Sequence, residues 1–570
     1  MSIRWEIKEK ADAEAIKKLS QELNNLSETL ANILLQRDIT NLEQARTFFR
    51  PDLANTHDPF LMKDMDKAVE RLDQAILKNE KILIFGDYDV DGTTSVALVY
   101  SYLSNYYPNL GYYIPDRYAE GYGISYQGID FAAENNYALI IALDCGIKAN
   151  DKVDYANQKG VDFIICDHHQ PGDEIPNAVA VLDPKRTDCD YPYKELSGCG
   201  VGYKLMQAWS IKNEKDNTLL LSYLDLLAVS ICADIVPITD ENRVFVSYGL
   251  QQINSNPRAG IKAMIDVAGL KKDKTLNVMD VVFTIAPRIN AAGRLETGNK
   301  AVELLIAPTT EEAEDAGKSI NILNTDRKDI DKLITQEALQ IIEDDALFEE
   351  KITTVVFNKD WHKGVIGIVA SRLIETHYRP TVVLTESNGK ATGSARSVKD
   401  FDLYQAIDAC SDLLEQFGGH KYAAGLTLKL ENVTAFSERF NEVVRQQIEP
   451  EMLIPQISID DELMLHEIDQ KFVRVLNQFA PFGPGNMRPV FVSHQVFCEE
   501  NVYTVGDNHL KMTVFQENNP SKKLSCIGFN LGKYAEQLAQ GVPFSIVYNI
   551  EENTWNNTTS IQLNIKDIRV

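Results

Sequence analysis

Three short apolar runs in this chain each lead into side chains that bind cations. Lys81-Ile82-Leu83-Ile84-Phe85 leads into Asp87-Tyr88-Asp89-Val90-Asp91-Gly92. Ala138 to Leu143 leads into Asp144, and Val161 to Cys166 into Asp167-His168-His169. Runs of this length, rich in Ile and Leu and separated by helical patterns, read as buried strands of a parallel sheet. Such sheets bind ligands beyond the carboxyl ends of their strands. Carboxylates and imidazoles gathered there suit divalent transition metals, and a pair of such ions clamps a phosphoryl group during in-line attack.

Asp87, Asp89 and Asp91 stand at spacing two, which in an extended chain puts them on one side. Converging carboxylates repel, and a cation relieves the repulsion. Gly92 permits close approach, and Thr93-Thr94-Ser95 offers hydroxyls to cap the next helix. A solvated acidic turn is the bland alternative. The twelfth position counted from Asp87 is Leu98 rather than Glu, which argues against an EF-hand. Taken singly, Asp144 reads equally as a helix cap, His168 or His169 as a structural histidine, and Asp234 as the cap after the apolar stretch Leu219–Ala233. Their recurrence at element ends within about 150 residues favours one shared site.

A chain of 570 residues exceeds one ordinary domain and is expected to form three or four. Residues 1–80 read as helical and polar. Residues 81–310 form one domain in which strands alternate with helices as far as about 250; candidate strands are 81–85, 110–114, 138–143, 162–166 and 178–182. Residues 311–345 carry apolar positions at helical spacing (Ala316, Ile320, Leu323, Ile330, Leu333, Ile334, Ala338, Ile341, Ile342) and predict a long connecting helix, with a pair of core helices as the alternative. Residues 346–450 form a second α/β segment with strands at Thr353–Phe357 and Thr381–Leu384. Residues 455–570 hold short alternating strands between turn signals, which predicts an OB-fold β-barrel, with a sandwich as the alternative.

The net charge of −26 argues against a protein that coats duplex DNA, yet leaves room for a local basic groove. No run of about 18 apolar residues occurs, and the start lacks a secretory signal, so no membrane span is expected. The eight cysteines are scattered without a Cys-x-x-Cys pair, which predicts reduced thiols in a cytoplasmic protein.

The order Asp87-Tyr-Asp-Val-Asp-Gly, Leu143-Asp144-Cys145-Gly146, Asp167-His168-His169 and Ala233-Asp234-Ile235-Val236-Pro237 resembles the four motifs of the DHH phosphoesterase superfamily. Within it, Pro115-Asp116-Arg117, Glu120-Gly121-Tyr122-Gly123, Arg288 to Arg294, His362 to Ala370, Ser394-Ala395-Arg396 and Gly418-Gly419-His420 are similar to the branch of bacterial single-strand-specific 5′→3′ exonucleases. The resemblance covers nearly all of 81–570. It implies an α/β fold: a DHH parallel-sheet domain joined by a long helix to a second, DHH-associated domain, with a C-terminal OB-fold barrel. It implies Mn²⁺ or Mg²⁺, one or two ions, held by Asp87, Asp89, Asp91, Asp144, His168 and Asp234, with Asp144 bridging. His169 would meet the scissile phosphate and Asp167 would support it, so that Asp167, His168 and His169 form the catalytic set. Smaller members carry a histidine where this chain has Phe85, and Asp87 is the replacement on offer.

A terminal 5′-phosphate suits a guanidinium fork, so Ser394 and Arg396 with Arg117 are candidates to hold it. Arg288, Asn290 and Arg294 are expected along the strand path; a helix-end salt-bridge network is the alternative. Gly419 and His420 would bring the second domain near the nucleotide, or else form a tight turn. Tyr503 and Trp555 are candidates for base stacking. The expected activity is that of a metal-dependent exodeoxyribonuclease on single-stranded DNA, releasing 5′-mononucleotides. A monomer is expected, working in recombinational and mismatch repair with single-strand-binding protein and a helicase. Two other readings stay open: an oligonucleotide phosphatase, which would lack the barrel, and an inactive binding subunit, which would lack the ligands.

Overall fold

The chain opens on a short strand, β1 (Arg4–Ile7), and winds through helices Ala13–Glu22, Glu28–Leu35, Leu42–Phe49 and Met65–Leu77. A computed structural model describes residues 3–270, 274–499, 501–555 and 558–570, the side chain of Trp555 excluded. Five parallel strands follow: β2 (Lys81–Gly86), β3 (Leu110–Tyr113), β4 (Tyr137–Leu143), β5 (Asp162–Cys166) and β6 (Ala180–Leu182). Their order is β3-β2-β4-β5-β6. Alternation sorts the side chains onto two faces. Ile82, Ile84, Ile141 and Ile164 enter one core, while Leu83, Phe85, Ile140 and Phe163 enter another. Both faces are covered, which is why these runs are continuously apolar. The chain leaves β2 outward to β3 and returns to β4 on the other side. That reversal opens a crevice beyond the ends of β2 and β4.

Helices α1 (Val90–Ser104), α2 (Gly198–Lys212), α3 (Leu224–Ala233) and α4 (Ala286–Leu295) wall this crevice. The stretch from Leu219 is not one helix: it breaks between Asn217–Leu221 and α3. At the break the Ser222 carbonyl accepts from Arg258 and Gln252.

Helix α5 (Thr310–Asp344) has 35 residues and spans about 50 Å. Ala313, Ile320 and Leu323 lie in the sheet's core; Ile334, Ala338 and Ile342 pack with Trp361 and Val369 of the next domain. Leu333 and Ile341 face solvent, because only one stripe of so long a rod meets either domain. That domain holds β7 (Thr354–Phe357), α6 (Ile366–Thr376), β8 (Thr381–Ser387), β9 (Lys390–Arg396), β10 (Leu414–His420) and β11 (Ala423–Lys429). Its order is β10-β11-β9-β8-β7, parallel only between β7 and β8.

After β12 (Gln456–Ile459), strands Phe491–Cys498, His509–Gln516, Asn519–Gly528, Phe544–Trp555 and Thr558–Arg569 close into a barrel. The beginning of the chain joins it. β1 pairs in parallel with β12, and Leu19, Leu30, Leu34 and Ala45 share a core with Phe472, Phe479, Phe491 and Tyr548. Helix Met65–Leu77 instead packs on the parallel sheet through Met65, Val69 and Leu72. No helix among the described residues is long and apolar enough to cross a membrane.

Candidate active site

Asp87 begins the loop after β2, and its carboxylate is fully buried. One oxygen accepts from the Gly123 amide at 3.2 Å; the other has no hydrogen-bond partner. The three motif aspartates do not converge by strand alternation, because α1 begins at Val90. Asp89 is its N-cap and accepts from the Gly92 amide at 3.0 Å, the task expected of Thr93, Thr94 and Ser95. Those hydroxyls instead bond back to carbonyls of Asp89, Val90 and Asp91. Asp91, in the first turn, points into the N-terminus of α2. It accepts from the Gly198 and Cys199 amides at 2.7 and 2.9 Å and from the Ser230 hydroxyl at 2.7 Å.

Asp144 follows β4 with a φ of +59°. It faces Gly198, where a Cβ would come within 2.5 Å of its own. Its Oδ1 is buried without a hydrogen-bond partner, and so are both ring nitrogens of His168. His168 Nε2 lies 3.1 Å from Asp144, 3.6 Å from Asp234 and 3.7 Å from Asp91. Asp234 closes α3. Asp144, His168 and His169 form one group with ligand spacing, and Asp91, His168 and Asp234 a second. His169 is half out in solvent; its Nδ1 meets Asp167 at 2.7 Å and its Nε2 the Tyr122 hydroxyl at 3.2 Å. Asp167 is spent on that imidazole and on the amides of Ile147, His168 and His169.

The electrostatics are those of a cation site. Burial, then the neighbouring carboxylates, pushes Asp87, Asp144 and Asp234 far above the usual range and raises Asp89. Burial pushes the His168 imidazole down. Burial opposes the charged forms of Asp167 and His169 as well, but their ion pair wins: it holds Asp167 low and raises His169 to about 9. Orphaned buried carboxylate oxygens around a neutral imidazole fit a divalent metal by donor type and by unmet bonding.

Across the crevice stands a basic cluster. Arg117 lies over the Tyr88 ring at 4.8 Å. Arg294 donates to the Gly364 carbonyl, and Arg396 to the Ser394 hydroxyl at 2.9 Å. Among the described residues none of these three guanidiniums has a carboxylate partner. Burial, then Arg117, Arg327 and Arg396, lowers Arg294 to about 10; burial and Arg117 lower Arg396. Burial, Arg396 and His169 all press the His420 imidazole down, so the second domain faces the Asp-His-His motif. Gly418-Gly419-His420 is not a turn but the end of β10; Gly419 pairs with Ala424. Arg288 sits deeper, bonded to Asn321 and the Thr284 carbonyl beside Arg327, and not in a salt-bridge network. Asn290 lies half-buried on α4 between the two arginines. Tyr503 is half exposed on the barrel, while the side chain of Trp555 lies outside the described residues.

Sequence reasoning passed over Asp183. It follows β6 as Asp167 follows β5, is fully buried with one orphaned oxygen, and is raised by burial to about 7. The same strand-end logic would have found it. Tyr122 bonds His169, His362 and Lys363 lie near Arg117, and Arg327 lies near Arg294; the first three fall within motifs that carry the resemblance, and Arg327 carried no signal of its own.

A doubly covered parallel sheet with Asp-His-His at its metal-type edge defines a DHH-family protein, and the family model described as "DHH family, N-terminal domain" matches residues 81–231. The DHHA1 domain matches residues 349–446 and the RecJ OB domain residues 459–567. The single-stranded-DNA-specific exonuclease RecJ of Bacillus subtilis is 39% identical over 573 residues, covering 100% of this chain and 71% of that protein. RecJ of Escherichia coli is 32% identical over 526 residues, covering 89% and 90%. A crystal structure of RecJ from Thermus thermophilus in complex with Mn²⁺ superposes with a TM-score of 0.85 at 25% identity, covering 100% of this chain and 80% of that one. The chain belongs to the RecJ family.

Proposed function

We propose that this chain is a metal-dependent, single-stranded-DNA-specific 5′→3′ exonuclease that releases 5′-mononucleotides. The observation that carries the reading is the pairing of orphaned buried donors at the sheet edge with unpaired arginines on the facing wall. Asp87, Asp89, Asp91, Asp144, His168 and Asp234 would hold one or two Mn²⁺ or Mg²⁺ ions, the metals named for the Thermus structures. Bound there, such ions supply hydroxide near neutral pH and neutralise charge on the reacting phosphoryl oxygens.

The other steps belong to the side chains. Asp167 holds His169 by its Nδ1–H, so the imidazolium keeps its charge at neutral pH and offers Nε2–H to a phosphoryl oxygen. Ser394, Arg396 and Arg117 take the terminal 5′-phosphate, a dianion that matches unpaired guanidiniums. Gly419 and His420 close over the first nucleotide from β10, while Arg294, Asn290 and Arg288 carry the strand away. The barrel holds bases further along, with Tyr503 as a stacking surface. The crevice between the two α/β domains admits a single strand and excludes a duplex by width. We place the chain in the cytoplasm as a monomer serving recombinational and mismatch repair with single-strand-binding protein and a helicase. Eight free cysteines, seven of them buried, support a reducing compartment.

The test is 3′-labelled single-stranded DNA with Mn²⁺, beside a matched duplex. Shortening of the single strand alone, faster with a 5′-phosphate, is expected. Asp144→Asn should lower the rate at least about 100-fold while keeping strand binding, since even residues that merely orient ligands cost 10–100-fold. Digestion of blunt duplex, or a fully active Asp144→Asn, overturns the assignment.

A further inference from the structure

The outward face of α4 continues beyond the crevice. Arg294 and Asn290 share it with Pro287, and four-residue steps backward lead to Phe283 and Met279. Pro287 has no N–H to give, and just before it the ladder widens: Val281–Ile285 forms a π turn in which the Ala286 amide bonds to the Val281 carbonyl. The neighbours of Phe283 are spent inward: Val281, Ile285 and Ile289 lie in the core. Phe283 and Met279 are left 69% and 56% exposed. Beneath the same face Arg288 is pinned by Asn321 beside Arg327.

A lone exposed apolar residue needs no explanation. Here an aromatic and a thioether lie on the helix face that Arg294 shares, with Arg288 and Arg327 buried beneath it, on a chain of net charge −26. An exposed aromatic face on the same side of the helix as a guanidinium fits one occupant, a single nucleic-acid strand with its bases unstacked. We infer that Phe283, with Met279 beside it, is a base-stacking subsite for the strand downstream of the cut. The inference rests on the proposed nuclease function and continues its surface. Phe283 is 11 residues from Arg294, roughly 16 Å along the helix, or about five nucleotides at the 3.4 Å per-strand rise of a duplex and fewer for an unstacked strand. A dinucleotide held at the metal edge does not reach it.

The experiment compares kcat/KM for a 5′-phosphorylated 20-nucleotide oligothymidylate and a 5′-phosphorylated dinucleotide, using the full chain with Mn²⁺. In Phe283→Ala the ratio of long to short should fall about 5- to 100-fold, through KM for the long strand, the loss expected for one base stack. Phe283→Trp should restore it and Phe283→Leu should not, since a face is required rather than mere apolarity. An unchanged ratio in Phe283→Ala, with the unaltered chain active, overturns the subsite alone. Failure of the unaltered chain to shorten single strands overturns the nuclease reading and the subsite with it.

Discussion

Asp144 adopts a left-handed backbone that costs an L-residue on the order of 1 kcal/mol. The strain is held by the Asp144 amide's bond to Cys166 and by the absence of a side chain at Gly198, and it aims the carboxylate at His168. His169 behaves differently, since its charge is sustained by Asp167 alone among its direct partners. Its pKa is raised from 6.5 to about 9, so its contribution to stability is complete below 6.5 and is lost as pH rises through about 9. Asp167 is depressed, so its share is present above the ordinary carboxylate range and is lost only in strong acid. In the metal-free protein, the His169 imidazole should titrate near pH 9 by NMR, and Asp167→Asn should bring it to 6.5 or below. A midpoint near 6.5 in the unaltered chain would show that the pair does not form.

The hairpin of β10 and β11 offers a sharp contrast between neighbouring glycines. Gly419 has φ +147°, and a Cβ there would come 2.3 Å from the Ala423 carbonyl oxygen; Gly418 has open space. Gly419→Ala should therefore cost about 2–3 kcal/mol in thermal unfolding and displace His420, while Gly418→Ala stays within about 0.5. Equal effects would mean that the hairpin relaxes freely. At this scale the sheet strands, the long helix and the barrel strands were legible, because burial on both faces or alternation writes itself into local pattern. The carboxylates and histidines that gather at the sheet edge were legible as residues at element ends. The start of α1 was not: Asp89-Val90-Asp91 suits an extended chain as well as a helix cap, and only α2's amides decide it. β1 was illegible for another reason, since its partner lies some 450 residues away and leaves no periodic mark.

For the whole molecule, the joint between the barrel lobe and the parallel-sheet domain turns on Arg243. Its guanidinium, 4% exposed, donates to the carbonyls of Phe48, Phe479, Ala480 and Pro481 and lies 3.9 Å from the Phe48 ring centre. Among the described residues no carboxylate balances it, and burial, then Arg37, lowers it to about 9. Arg243→Met should cost about 2–4 kcal/mol by stranding those carbonyls, and urea unfolding should gain an early transition from the loosened lobe. A single, unshifted transition would mean that the lobe is held elsewhere. The pairing of β1 with β12 also has a consequence for synthesis. The ribosome delivers Arg4–Ile7 first and Gln456–Ile459 about 450 residues later, a delay of roughly 20 to 90 s at ordinary elongation rates. Through that interval Leu19, Leu30 and Leu34 have no barrel to enter. The lobe is therefore completed only when two segments translated about 450 residues apart meet, and until then the earlier one carries an unfinished apolar surface.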